Sequence, residues 1–197
     1  MRVIRVMKEV AASFGCKENV ESIRLRHVNI APAESTALFQ FLSHFKNLHV
    51  VKIFDCTMDH SAIREFSKLL LNNDNCKLTE LDIANNNSTD ESVGCLGDGL
   101  KSENCKLTKL DIFGNNLTDE SGRCLSDALK SENCKLTRLT ITSDNLTNES
   151  GRCLSDDLKT ENCKLTKLNI SGSSLTDESG RCLSGSHVVP KPDGDVR

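Results

Sequence analysis

The 197-residue sequence contains no tryptophan and no tyrosine, only three prolines, and no excess of basic residues. Its formal net charge of −3 lacks the excess of positive charge that binding to a phosphate backbone requires. It also has few of the aromatic side chains on which single-stranded nucleic acids stack. No apolar run is long enough to cross a bilayer, and Lys8 and Glu9 interrupt the N-terminal stretch that a signal peptide would need. We therefore expect no nucleic-acid partner, no membrane partner and a cytoplasmic protein whose cysteines are thiols.

What the sequence does contain is a tandem repeat. The string NCKLT begins at Asn75, Asn104, Asn133 and Asn162, a spacing of 29 residues each time, and each copy leads into a DESGRCLS segment or a variant of it. Two more divergent copies precede these four. The six predicted repeats begin near Val20, Leu48, Leu78, Leu107, Leu136 and Leu165. Repeats of this length predict a solenoid in which each unit is one supersecondary element.

Each repeat combines two periodicities. Leu110 and Ile112 belong to an alternating segment, and a period of two predicts a strand. Leu125 and Leu129 are four residues apart in the segment that follows, which predicts a helix with Thr118 as its N-cap. A single unit cannot bury both elements, so neighbouring units must bury them by stacking. We predict an α/β solenoid in the form of a short horseshoe arc, with a parallel β-sheet on the concave face and α-helices on the convex face.

The repeated motif C-K-L-T-x-L-x-I-x-x-N-x-L-T, with a second cysteine in the helix, resembles leucine-rich repeats of the ribonuclease-inhibitor-like class. It is most similar to the C-terminal repeats of NOD-like receptors, over roughly residues 20–184. The resemblance implies a non-catalytic module that binds a protein partner, as the ligand-sensing or autoinhibitory part of an innate immune receptor or as a fragment of one. The sequence has no G-x-x-x-x-G-K-[ST] phosphate loop. The Asn position of the motif is occupied in turn by Val28, Cys56, Asn86, Asn115, Asp144 and Ser173.

Three regions follow from this pattern. Residues 1–19 are predicted to form an amphipathic helix that serves as a cap or partial repeat. Residues 20–184 hold about six repeats, the last one incomplete, and residues 185–197 are predicted to be a disordered tail. An incomplete final repeat exposes the edge of the core. Self-association through this uncapped C-terminal repeat, as a structural or assembly role, is therefore an alternative function.

The repeats differ most at the outward-facing strand positions, whereas their core and turn residues are nearly constant. A variable surface on a constant scaffold is typical of a surface that binds a partner, although solvated positions on a permissive sheet would vary in the same way. Phe54 and Phe113 are the candidate anchors, because exposed aromatic residues among charges are typical of binding hot spots. The candidate partner-binding residues are Arg24, Arg26, Lys52, Phe54, Glu80, Asp82, Lys109, Asp111, Phe113, Arg138, Thr140, Lys167 and Asn169.

The ten cysteines allow three interpretations. The first is an extracellular disulfide framework, with which an even number is compatible. The second is a zinc site, but the spacings of 10 and 19 residues do not resemble the C-x-x-C pairs of zinc sites. We favour the third interpretation, buried small apolar residues that recur with the repeat.

Six N-x-[ST] triplets keep an extracellular, glycosylated recognition protein open as an alternative; they begin at Asn86, Asn87, Asn116, Asn145, Asn148 and Asn169. The histidines do not recur with the repeat. The one candidate nucleophile–base group is Cys56 with His27 and His44, and it lacks an evident orienting residue. We expect no enzyme activity, no catalytic residues, no metal and no cofactor.

Overall fold

The computed structural model describes residues 20–114, 116–172 and 174–177. The predicted N-terminal helix at 1–19 and the predicted tail at 185–197 lie outside the described residues. Strands and helices alternate along the chain as β1 (Ser22–Arg26), α1 (Pro32–Ser43), β2 (Val50–Phe54), α2 (His60–Phe66), β3 (Glu80–Ala84), α3 (Asp90–Leu100), β4 (Lys109–Phe113), α4 (Asp119–Leu129), β5 (Arg138–Thr142), α5 (Asn148–Asp157) and β6 (Lys167–Ser171).

The strands form one open, parallel six-stranded sheet in the order β1 to β6. Each strand pairs with the next at the same register, so that equivalent residues of successive repeats lie side by side. Each helix packs against the helices of its neighbouring repeats. The predicted α/β solenoid with a parallel sheet is confirmed.

The second and fourth residues of the strands supply the sheet side of the core. Leu81, Ile83, Leu110 and Ile112 are almost completely buried. The helices supply the other side, and Leu125 is among their fully buried residues. Full burial of one such side chain stabilises the fold by about 1.5–3 kcal/mol, and every repeat contributes several.

The polar residues of NCKLT connect each repeat to the one before it. The Asn133 side-chain amide donates to the Lys101 carbonyl, 32 residues earlier. Lys135 Nζ donates to the Cys105 carbonyl at 2.9 Å, and the Thr137 hydroxyl donates to the Thr108 carbonyl at 3.1 Å. The equivalent amide and hydroxyl bonds recur at Asn104, Asn162, Thr108 and Thr166. The equivalent lysine bond recurs at Lys164, which donates to the Cys134 carbonyl. The near-constancy of this string therefore follows from stacking and does not indicate a ligand site.

The DES segment carries a second connection, which runs forward along the chain. Asp119, the first residue of α4, accepts hydrogen bonds from the backbone N–H groups of Thr147 and Ser150 at the start of α5, at 2.9 and 3.2 Å. Both hydroxyls of these residues also donate to the Asp119 carboxylate. Asp90 caps α4 in the same way through Thr118 and Ser121. The first residue of α3 therefore caps the N-terminus of α4, and the first residue of α4 caps that of α5.

The second repeat is one residue longer than the 29-residue spacing, and its helix accommodates the extra residue. After α2 the chain continues as a π-helical segment, Ser67–Leu71, before it turns toward β3. A π-helical turn holds one more residue than an α-helical turn. The strand register on either side is therefore unaffected.

The turns after the strands are satisfied by side chains, but not by the same residue type in every repeat. Asn86 is fully buried; its carbonyl oxygen accepts from Cys56 N–H, and its amide donates to the Ile53 and Ala84 carbonyls. In the fifth repeat Asp144 is exposed, and the buried Ser143 hydroxyl instead bonds to the backbone of Leu117. The motif alignment that placed Asp144 at the Asn position therefore does not identify the side chain that closes this turn. Asn115 and Ser173 lie outside the described residues.

Candidate functional site

The candidate site is the face of the sheet opposite the core, made of the first, third and fifth residues of each strand; we call it the inner face. The strand register places these residues in three columns. The first is Ser22, Val50, Glu80, Lys109, Arg138 and Lys167; the second is Arg24, Lys52, Asp82, Asp111, Thr140 and Asn169; the third is Arg26, Phe54, Ala84, Phe113, Thr142 and Ser171. All thirteen candidate residues lie on this face, as predicted for outward-facing strand positions.

None of the thirteen side chains is fully buried. Arg24, Arg26, Phe113, Arg138 and Lys167 are exposed, and the other eight are half-buried. Their exposure is what a binding surface requires, since a partner contacts only atoms that solvent also reaches. That these residues bind a partner stays a prediction.

An aromatic pair lies in the third column. The rings of Phe54 and Phe113 are 6.4 Å apart between centroids, although the strand of Ala84 separates their own strands. The small Ala84 side chain is 1% exposed, as expected where two larger neighbours flank it. Phe113, at 37% exposure, is the one exposed large hydrophobic side chain among the described residues. The Arg24 and Arg26 guanidinium carbons lie 6.0 and 5.3 Å from the centroid of the Phe54 ring, within the range of cation–π attraction.

The centre of the inner face holds paired charges. Lys109 Nζ lies 3.1 Å from an Asp111 carboxylate oxygen and 3.7 Å from a Glu80 carboxylate oxygen. Lys52 Nζ lies 3.7 Å from Asp82. Burial raises the pKa of the Asp82 carboxyl, and Lys52 only partly offsets this effect. The Asp82 and Asp111 side chains are 13% and 14% exposed, and in each the Oδ1 atom is buried without a hydrogen-bond partner.

Comparison with known proteins agrees with this geometry. Residues 74–97, 103–126 and 161–184 each match the family model described as Leucine Rich repeat. The fold is a leucine-rich repeat solenoid. No curated protein matches the chain. Leucine-rich repeat arrays generally mediate protein–protein interaction and use the sheet that lines their concave side as the binding surface.

The rim of the leucine-rich repeat sheet contains residues that were not among the predicted partner-binding residues. His27, Asp55, Asn85 and Gly114 follow the first four strands, and all adopt a left-handed backbone conformation, with φ between 50° and 62°. The Asn85 amide donates to the Asp55 carboxylate at 3.1 Å, and His27 lies 4.0 Å from that carboxylate. These residues border the third column and extend the polar surface beside the aromatic pair. Their types differ from repeat to repeat, so only their shared position after a strand could have identified them.

The cysteines of this leucine-rich repeat array are not all buried as predicted, because Cys95, Cys124 and Cys153 in the helices are only half-buried. All eight cysteines in the described ranges are free. Cys76, Cys105 and Cys134 are buried, and burial raises the pKa of the Cys105 thiol to about 11. Burial also raises the pKa of Cys56, whose thiol donates to the Phe54 carbonyl. A nucleophile needs a lowered thiol pKa, so Cys56 lacks the activation that the candidate group with His27 and His44 would require.

The described part of the chain contains neither a candidate metal site nor a candidate membrane-spanning helix. Within residues 20–114, 116–172 and 174–177, no group of three or more His, Cys, Asp or Glu residues is placed to hold a metal ion. Over the same ranges, no helix is both long enough and apolar enough to cross a membrane.

Proposed function

We propose that this leucine-rich repeat array is a non-catalytic interaction module that binds a protein partner on its inner face. The observation that carries the proposal is the Phe54–Phe113 pair on a mostly polar face, with Phe113 exposed to solvent. Exposed aromatic residues near the centre of a surface are typical of the few residues that dominate binding energy. The register supports the same conclusion, because it aligns the most variable strand positions of the repeats on one continuous surface.

Binding to this face is tested with a triple variant, Phe54→Ala, Phe113→Ala and Arg138→Ala. Lys109 is kept, because its removal would leave the Asp111 carboxylate without its cationic partner. The parent and the variant are immobilised in equal amounts, and proteins retained from native lysate are quantified. We expect the variant to retain at most a tenth of the partner that the parent retains, since each hot-spot truncation weakens binding by about 2 kcal/mol or more.

A matched triple variant on the helical side of the array provides the control: Asp127→Ala in α4, and Lys101→Ala and Lys159→Ala just past the C-terminal ends of α3 and α5, all at exposed positions. It should retain the partner at the level of the parent. Circular dichroism and melting must agree for all three proteins. Equal retention by both variants would move the binding site off the inner face, and a larger loss with the helix variant would place it on the helices.

We further propose that the partner-binding module acts as the ligand-sensing or autoinhibitory part of an NLR-like innate immune receptor in the cytoplasm. The motif's similarity to NOD-like receptor repeats supports this, and free thiols suit a reducing compartment. The buried amide of Asn86, which is engaged in hydrogen bonds, is unsuited to glycosylation. Expression in animal cells followed by endoglycosidase treatment tests the compartment. We expect no shift in mass, and a shift would favour the extracellular alternative.

A further inference from the structure

We propose that the partner segment that docks on the inner face is an acidic, extended stretch of polypeptide with an apolar side chain between two groups of carboxylates. This inference rests on the proposed function and names the chemistry of its partner. Its first support is the distribution of charge. Six cationic side chains and three carboxylates give the inner face a formal charge of +3, whereas the whole chain carries −3. The inner face is thus a basic surface on an acidic protein.

The cations of the inner face fall into two classes. Lys52 and Lys109 lie in the centre and pair with carboxylates of the same face. The other four lie toward the two ends of the face: Arg24 and Arg26 on β1, Arg138 on β5 and Lys167 on β6. None of these four forms an ion pair with a carboxylate of the described residues. Uncompensated cations at both ends of a binding face attract complementary charge and suppress other partners.

Each end also provides neutral groups that suit a carboxylate. Arg138 and Lys167 line a shallow depression together with Thr140 and Asn169, whose hydroxyl and amide are hydrogen-bond donors. At the other end Arg24 and Arg26 lie over the Phe54 ring. Guanidinium groups bind carboxylates with two parallel hydrogen bonds, and a guanidinium already held against a ring loses less freedom on binding.

The spacing of the two ends fixes the length of the segment. Four strand spacings of about 4.8 Å separate β1 from β5, so the two cationic ends are on the order of 20 Å apart. An extended polypeptide advances about 3.3 Å per residue, and about six residues therefore join the two ends. The exposed Phe113 ring lies between them and offers an apolar contact to the middle of the segment.

The same central carboxylates argue against nucleic acid as the occupant. A nucleic-acid strand carries a negative phosphate at every nucleotide, and its middle phosphates would face Glu80, Asp82 and Asp111. A polypeptide can place carboxylates at two ends and an apolar residue at the centre. The inner face, basic at its ends and weakly acidic at its centre, matches that pattern.

The test uses the full chain and a displayed library of random twelve-residue peptides. Affinities of the selected peptides are measured for the parent, for Arg138→Glu with Lys167→Glu, and for Lys101→Glu with Lys159→Glu. The last pair changes the net charge equally, but on the helical side of the array, just past the C-terminal ends of α3 and α5. We expect selected peptides to be net acidic with an aromatic or aliphatic residue, to lose at least tenfold in affinity for the inner-face variant, and to stay within twofold for the helix variant. Circular dichroism confirms that both variants fold.

The outcomes separate this inference from the proposed function. Neutral or basic peptides that lose affinity when Phe113 is changed to Ala would overturn the acidic partner and keep the inner face as the binding site. Peptides insensitive to every inner-face change, or no selected peptides at all, would count against both. A fluorescent single-stranded DNA 20-mer is measured in parallel. If it binds to the parent and not to the Arg138→Glu, Lys167→Glu variant, the occupant is nucleic acid and the inference is wrong.

Discussion

The Asp119 carboxylate of the fourth repeat caps the N-terminus of α5 in the fifth repeat, and its removal measures how much this contact stabilises the stacking of the two repeats. Changing Asp119 to Ala removes four hydrogen bonds at once, two from backbone N–H groups of α5 and two from the hydroxyls of Thr147 and Ser150. The Ser150 side chain is fully buried, so its hydroxyl has no access to water after the change. The perturbation therefore acts on the junction between two repeats and not on a single helix.

The magnitude follows from two contributions. Loss of an N-cap acceptor costs about 0.5–2 kcal/mol, and a buried hydroxyl left without a partner costs about 1–3 kcal/mol. The contributions overlap, because the same carboxylate serves both groups, and we expect Asp119→Ala to lower the free energy of unfolding by about 2–3 kcal/mol. Asp119→Asn should cost about half as much. The next repeat carries Asn148 at this position, and its side chain bonds to both the N–H and the hydroxyl of Thr176.

Equilibrium urea denaturation at pH 7 measures the effect. With a slope of about 2 kcal/mol per molar urea, Asp119→Ala should lower the midpoint by about 1–1.5 M at unchanged slope. The control is Asp127→Ala on the exposed side of the same helix, which should stay within about 0.5 kcal/mol of the parent. A midpoint for Asp119→Ala equal to that of the control would refute the role of the carboxylate in stacking. So would an Asn variant as unstable as the Ala variant.

Acid provides an independent check on the same carboxylate. Burial alone would raise the pKa of Asp119, but the hydrogen bonds from Ser150 and Thr147 outweigh it and hold the pKa below its ordinary value of 3.8. A carboxyl with a lowered folded-state pKa contributes stability above its unfolded pKa and loses it as the pH falls through the folded-state pKa. The stability gap between parent and Asp119→Ala should therefore be constant from pH 7 to 5 and shrink below about pH 4. A gap that grows in acid would contradict this sign.

Three further predictions concern single residues. Asn86→Ala should lower stability by about 2–4 kcal/mol in thermal melts, because it leaves Cys56 N–H buried without its acceptor; a loss below 1 kcal/mol would contradict this. Gly114→Ala should lower the free energy of unfolding in urea by about 1–2 kcal/mol, because φ is +62° at this residue. Gly94→Ala is the control: Gly94 lies in a helix, an added methyl group meets nothing closer than 3.7 Å, and the change should be neutral or stabilising. Burial raises the pKa of Cys105 to about 11 from an ordinary value of 9.0. At pH 8 this thiol should therefore react with a disulfide reagent at least a hundredfold more slowly in the folded protein than in the protein unfolded in urea; equal rates would show that the thiol is exposed.

Much of this fold could be predicted from the sequence, because the same strand and helix pattern recurs in successive repeats. The recurrence of NCKLT sets the register of the later strands, and alternation then decides which face each residue occupies. Lys109 and Arg138 hold the same position in successive repeats, and they are neighbours in the structure. Even the second repeat, with its longer spacing, keeps the predicted register, since the π-helical segment Ser67–Leu71 takes up the extra residue.

The contacts between side chains of different repeats could not be predicted in the same way. The sequence marks Thr118 as a helix cap but gives no sign that Asp90, 28 residues earlier, accepts its hydrogen bonds. The charge pairing across the inner face is similarly hidden, because whether Lys109 pairs with Asp111 or Glu80 depends on side-chain conformations. The sequence therefore supplied the positions of the candidate site, whereas its electrostatics required the structure.

The measurement that tests the central claim most directly is site-specific photo-crosslinking on the inner face. A benzophenone amino acid replaces Phe113 in one protein and the exposed Asp127 of α4 in another, and both are irradiated in native lysate. Excess unlabelled parent serves as competitor in one arm, and the Phe54→Ala, Phe113→Ala, Arg138→Ala variant in a second. We expect a discrete crosslinked protein at position 113, which the parent competitor removes and the variant competitor does not. A crosslink found only at position 127, or one at position 113 that the variant removes as well as the parent does, would contradict it.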